Sequence, residues 1–212
     1  MLHANQCSLF FSRYLKARNQ EASSFQSPDA PTPSTASTIT PNSRAGCSAL
    51  EQLASAETLK RILDDWFDLI HSVCPIHHRA NFFKRLADDD ASHDPEFAAV
   101  VIAVCAATVS SLPRKAAIEY PQVTVERCFD VIAQNGLLDD PRSISLAFCQ
   151  AKYHLSASVA SAQGTDAAIN FRLLGEAATG VKYLTFYELA KMPPLQQQLT
   201  KRLYWLVFCG LW

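Results

Sequence analysis

Four side chains able to bind a soft metal crowd one short stretch: His71, Cys74, His77 and His78, spaced H-x-x-C-x-x-H-H. Imidazole and thiolate would suit zinc. Pro75 lies inside the cluster, however, and breaks the helical geometry that would align His71 with Cys74. Closed structural zinc sites also usually gather their ligands from two separated pairs. The favoured reading is capping and packing at a turn, with no metal ligand assigned. A small metal-dependent helical enzyme using His71, Cys74, His77 and His78 is kept as the alternative.

Asp88, Asp89 and Asp90 cannot share one helix face, so they read as a solvated helix end, and His93 as a solvated loop residue. Neither G-x-S-x-G nor C-x-x-C occurs. The 6 glycines form no phosphate-cradling motif. No catalytic residue and no cofactor site are therefore expected. The dipeptides Lys60-Arg61, Lys84-Arg85 and Lys201-Arg202 are isolated pairs that suit snorkelling helix flanks better than a nucleic-acid surface. With 19 Lys+Arg against 20 Asp+Glu, no overall field draws the chain to phosphate backbones or acidic membranes. The seven cysteines are odd in number and never closer than twenty-one residues, which is not a disulfide framework. A reducing compartment, nucleus or cytosol, is the expectation.

These residues must be positioned by helices. Residues 1–20 are basic, without an acid, and bring Leu9, Phe10, Phe11, Tyr14 and Leu15 together; a loosely attached terminus is expected, with a mitochondrial leader the weaker reading. From Ala22 to Gly46, fourteen of twenty-five residues are Ser, Thr or Pro, too few apolar groups to offset ordering entropy. Residues 1–46 thus read as a disordered tail and linker, and 47–212 as the folded part.

Ser48 and Glu51 have capping-box spacing and predict a helix start. An apolar stripe from Leu50 to Val73 follows, ended by Pro75. A short helix over 79–88 comes next, and Asp94-Pro95-Glu96 opens another that carries no charge after Glu96. At fifteen uncharged residues, Phe97 to Ser111 is too short to cross a membrane and predicts the central core helix. Pro121 can open a helix closed by Asn135-Gly136. Asp139 or Asp140 before Pro141, Thr165 or Asp166, and Pro193-Pro194 signal the remaining three. No strand run or hairpin turn intervenes. The expectation is an all-α domain of about seven packed helices.

The string LDDWFDLIHSVCPIHHRANFFKRL, residues 63–86, resembles the opening of the fungal-specific transcription factor domain, the middle homology region of zinc binuclear cluster regulators. There an aromatic-rich helix ends in Ile/Val-His-Pro-x-x-Pro-Ile-Leu-His-Arg-x-x-Phe. Trp66, Phe67, Ile70, His71, Pro75, Ile76, His78, Arg79 and Phe82 fall on the pattern; Ser72, Cys74 and His77 depart from it. KRLYWLVF, residues 201–208, is similar to the family's Arg-Arg-x-Tyr/Phe-Trp-x-x-Phe segment at Arg202, Tyr204, Trp205 and Phe208. The apolar helix between them resembles the family's LLLAICALAA helix.

The resemblance implies a regulatory domain for transcription of metabolic genes by RNA polymerase II, placed in the nucleus (cytoplasm the alternative). It would act by protein contact, by homo- or heterodimerisation, or by sensing a small molecule. The family reads DNA through six cysteines at C-x2-C-x6-C spacing that hold two zinc ions, a spacing absent here, so DNA and zinc binding are expected only of a full-length relative or partner. The family also continues past its Trp motif, so a truncated chain with an exposed apolar last helix is expected. The signature residues would be structural: Trp66, Phe67 and Ile70 in the core, Pro75 turning the chain, and Arg79 pairing with helix-end carbonyls or an acid.

Overall fold

The computed structural model describes residues 45–140 and 144–210, and the readings made for residues 1–44, for Pro141 and for Leu211-Trp212 lie outside them. The helices are α1 (Ala45–Leu53), α2 (Ala56–Asp65), α3 (Arg79–Ala87), α4 (Asp90–His93), α5 (Pro95–Ser111), α6 (Pro113–Glu119), α7 (Val125–Gln134), α8 (Leu146–Gln163), α9 (Ala168–Tyr183) and α10 (Pro194–Gly210). α2 runs on into a wide π turn, Trp66–Ile70, and α9 into another, Leu184–Glu188. No strand occurs among the described residues, and the domain is all-α.

All seven expected helices are present, with three differences. The first is broken into α1 and α2 at Ala54-Ser55, and the short α4 and α6 are additional. Ser48 does not cap: α1 already begins at Ala45, and Ser48 Oγ accepts from Gln52 Nε2 one turn on. The working cap is Ser55, whose hydroxyl accepts from the Thr58 amide. Asp94 caps α5 as expected, accepting from Phe97 N at 3.0 Å. Thr124 and Ser145, rather than Pro121 or the aspartates at 139 and 140, open α7 and α8. α9 starts at Ala168 without a side-chain cap. Gly136 closes α7 at φ +59, a conformation that a Cβ would strain.

α5 is the centre. Phe97 to Val109 is buried without a break, because α8 covers one side and α7, α1 and α2 cover the others. No single helix among the described residues is long and apolar enough to cross a membrane; α5 and α6 together bend by 110° at Leu112. α8 lies between α5 and α9, and α10 packs on α9. Gly180 of α9 meets α8 so closely that an added Cβ would stand 2.6 Å from Cys149 Sγ.

A helix covered on two sides buries polar residues as well as apolar ones, and each then needs a partner. α8 supplies them in turn. Lys152 pairs with Glu176 at 2.6 Å, Ser156 donates to Asn170 Oδ1, and Ser158 donates to the Leu155 carbonyl. Gln150 and His154 reach to the other side of the helix, toward the Pro75 turn.

Candidate functional site

The turn that follows α2 is held by three backbone and side-chain contacts. Pro75 cannot donate an amide hydrogen, so the chain leaves helical geometry there. His71 Nε2 donates to the carbonyl of His77 at 2.8 Å and closes the turn. Gln150 Nε2 donates to the Ile76 carbonyl at 2.5 Å. From the far motif, Arg202 Nη1 donates to the Pro75 carbonyl at 3.2 Å.

His77 is the buried centre of this turn. Its Nε2 faces Nε2 of His154 at 2.8 Å, the two rings end to end with their planes 21° apart. At this distance one nitrogen donates and the other accepts, and two neutral rings do so as opposite tautomers. Burial holds them neutral: it pushes His77 well below its usual range, with His154 and His71 nearby adding to the shift, and His154 down to about 3, with His71 adding. Trp66 stands edge-on to His154 at 4.8 Å, and Phe82 edge-on to His77. Trp66 Nε1 and His154 Nδ1 are enclosed without a hydrogen-bond partner.

Above His77 opens a cleft of about 850 Å³, walled by the first turns of α3, α5 and α8 and by the π turn that follows α9. Among the described residues its two basic side chains are already paired with acids. Arg85 donates to Asp90 at 2.9 Å and to Asp94 at 2.7 Å while covering the Phe97 ring at 3.9 Å. Lys191 pairs with Glu188, and Ser145 Oγ donates to Glu96.

The four side chains of the H-x-x-C-x-x-H-H stretch go separate ways. His71 closes the turn, His78 Nδ1 accepts from the Asn81 amide at the start of α3, and His77 faces His154. Cys74 is buried beside Tyr153, its thiol pushed up to about 12 by burial. Among the described residues no three His, Cys, Asp or Glu side chains gather as a group able to hold a metal ion.

The signature residues divide in two. Trp66, Phe67, Ile76 and Phe82 are buried, and Ile70, His71, Pro75 and Tyr204 are half-buried. Arg79 takes the acid partner rather than a helix-end carbonyl: it binds Asp68 at 2.5 Å and Asp64 at 3.4 Å, over the Phe67 and Phe83 rings. Trp205 and Phe208 point outward and are exposed, as are His78 and Arg202.

Gln150, which lines the cleft, and His154, which lies behind His77, carry no motif in the sequence. The available signal was their placement one turn apart on a helix that also carries apolar residues at Phe148, Leu155 and Val159. No protein-family model matches the chain, and no curated protein or solved structure matches it.

Proposed function

We propose that residues 47–212 are the regulatory domain of a fungal transcription factor. It modulates output through protein contact and a bound small molecule, in the nucleus, with DNA and zinc binding supplied by a full-length relative or partner. The observation that carries this reading is the meeting of its two motifs. Arg202 of the second reaches the Pro75 carbonyl of the first, 127 residues earlier in the chain. Two segments picked out separately by resemblance thus form one structural unit beside the cleft. Burial raises the thiols of Cys74, Cys105 and Cys149 to about 12, far from the thiolate a nucleophile needs.

The test is a fusion of the whole chain to an unrelated DNA-binding domain over a reporter in a yeast. The fusion is expected to change reporter output, and Arg202→Ala, which unties the two motifs, is expected to reduce that change. A fusion that is made at normal abundance, enters the nucleus and leaves the reporter unaltered discards the reading.

A further inference from the structure

The floor of the cleft carries two polar atoms with no hydrogen-bond partner among the described residues. His77 and Gln150 line the cleft and are more than nine-tenths buried, at 5% and 6% exposure. His77 spends Nε2 on His154, and its Nδ1 has no partner. Gln150 spends Nε2 on the Ile76 carbonyl, and its Oε1 has no partner. Neither atom is sealed in the core, as His154 Nδ1 is. Both are fixed. Gln150 and His154 are one turn apart on α8; one holds the peptide that precedes His77 and the other holds its ring. A site whose polar atoms are held in place before a ligand arrives loses little entropy on binding.

What each atom offers follows from its other bonds. Gln150 must present its amide nitrogen to the Ile76 carbonyl, so the atom left for the cleft is the acceptor oxygen. For the imidazole pair, two tautomers are available. If His77 donates from Nε2, the proton of His154 sits on its enclosed Nδ1, beside the enclosed and equally unpartnered N–H of Trp66. Two sealed donors side by side are worse than one donor beside a lone pair, since orphaned buried N–H groups are the rarer and costlier kind. His154 therefore donates, and His77 carries its proton on Nδ1, facing the cleft. The floor presents one donor and one acceptor, on two side chains that hold the same turn.

We propose that this cleft binds a small neutral molecule through a lactam-type edge, a ring C=O that accepts from His77 Nδ1 beside a ring N–H that donates to Gln150 Oε1. A lactam, like a primary amide, turns its C=O and N–H to one edge, whereas an open secondary amide is trans and turns them to opposite sides. A neutral ligand is favoured because Arg85 and Lys191 are already bound to acids and leave no surplus positive charge for an anion. The volume of about 850 Å³ is ample for a small ring compound. This deepens the small-molecule half of the function proposed above, but the binding itself does not depend on any role in transcription.

The experiment follows the imidazole and side-chain amide nitrogens of the full chain by NMR while 2-pyrrolidone, N-methyl-2-pyrrolidone or acetate is added. 2-Pyrrolidone is expected to move the His77 and Gln150 signals saturably. N-Methyl-2-pyrrolidone, which keeps the C=O and lacks the N–H, is expected to bind roughly tenfold more weakly, the worth of one hydrogen bond. Gln150→Leu is expected to remove that difference between the two lactams. Equal binding of the two lactams to the wild-type chain, tighter binding of acetate, or no movement of either signal overturns the proposal without recourse to a variant. Lactam binding together with a silent reporter would discard the transcription reading and keep the site; an active reporter with no lactam binding would do the reverse.

Discussion

A buried imidazole resists a proton, and His77 and His154 are two of them, nitrogen to nitrogen. In the unfolded chain each titrates near its ordinary 6.5, whereas in the fold His154 lies near 3 and His77 is likewise well lowered. The folded value is the depressed one for a base, so the neutral pair is fully compatible with the fold above pH 6.5. As pH falls from about 6.5 toward 3, the unfolded chain takes up protons that the fold refuses, and stability drops. For His154 alone the loss is about 2 kcal/mol by pH 5. Denaturant melts at pH 7.5 and pH 5 check this. The wild type is expected to lose at least that much between the two, and the double variant His77→Leu/His154→Leu distinctly less; equal acid sensitivity would refute the assignment. This pair was beyond sequence reading for a plain reason: its partners are 77 residues apart, and no local periodicity encodes which polar residue of α8 meets which residue of a distant turn.

Most helix boundaries were legible, since they rest on local chemistry. Asp94-Pro95 opens α5 and Gly136 closes α7 where capping rules put them. The start of the first helix was misread because Ser48 and Ser55 both carry cap-like spacing. The six-residue step from Leu53 to Leu59 is out of helical phase and marks the break that makes Ser55 the cap. The two serines can be separated by measurement. Ser55→Ala is expected to cost about 1 kcal/mol and Ser48→Ala less than about 0.5 kcal/mol, read from urea midpoints. Gly180→Ala offers a second test at this scale. Helix propensity alone would make alanine better by about 1 kcal/mol, but the new Cβ would press on Cys149 at 2.6 Å. Net destabilisation of α9 against α8 is expected, and a stabilised variant would show that the two helices can part without loss.

Across the whole molecule, the two faces of α10 do different work. Leu203 is fully buried against the rest of the fold, whereas Trp205 and Phe208 are 63% and 47% exposed. Leu203→Ala is expected to lower stability by roughly 2 to 5 kcal/mol. Trp205→Ser with Phe208→Ser is expected to leave stability within about 0.5 kcal/mol while lowering reporter output, because an exposed aromatic face serves contact rather than folding. If thermal melts show the double variant to be as damaged as Leu203→Ala, the face belongs to the core instead. The all-α architecture was legible because it rests on composition and periodicity summed over the chain; the cleft was not, because it is assembled from helix beginnings scattered between residues 77 and 199. The indole of Trp66 gives this buried floor an optical signature. Standing edge-on to His154 in a dry environment, it should emit at short wavelength, in contrast to the solvent-facing Trp205. Because a charged imidazole quenches a neighbouring indole, the blue part of the emission would dim as the pair takes up a proton and would brighten again on return to neutral pH.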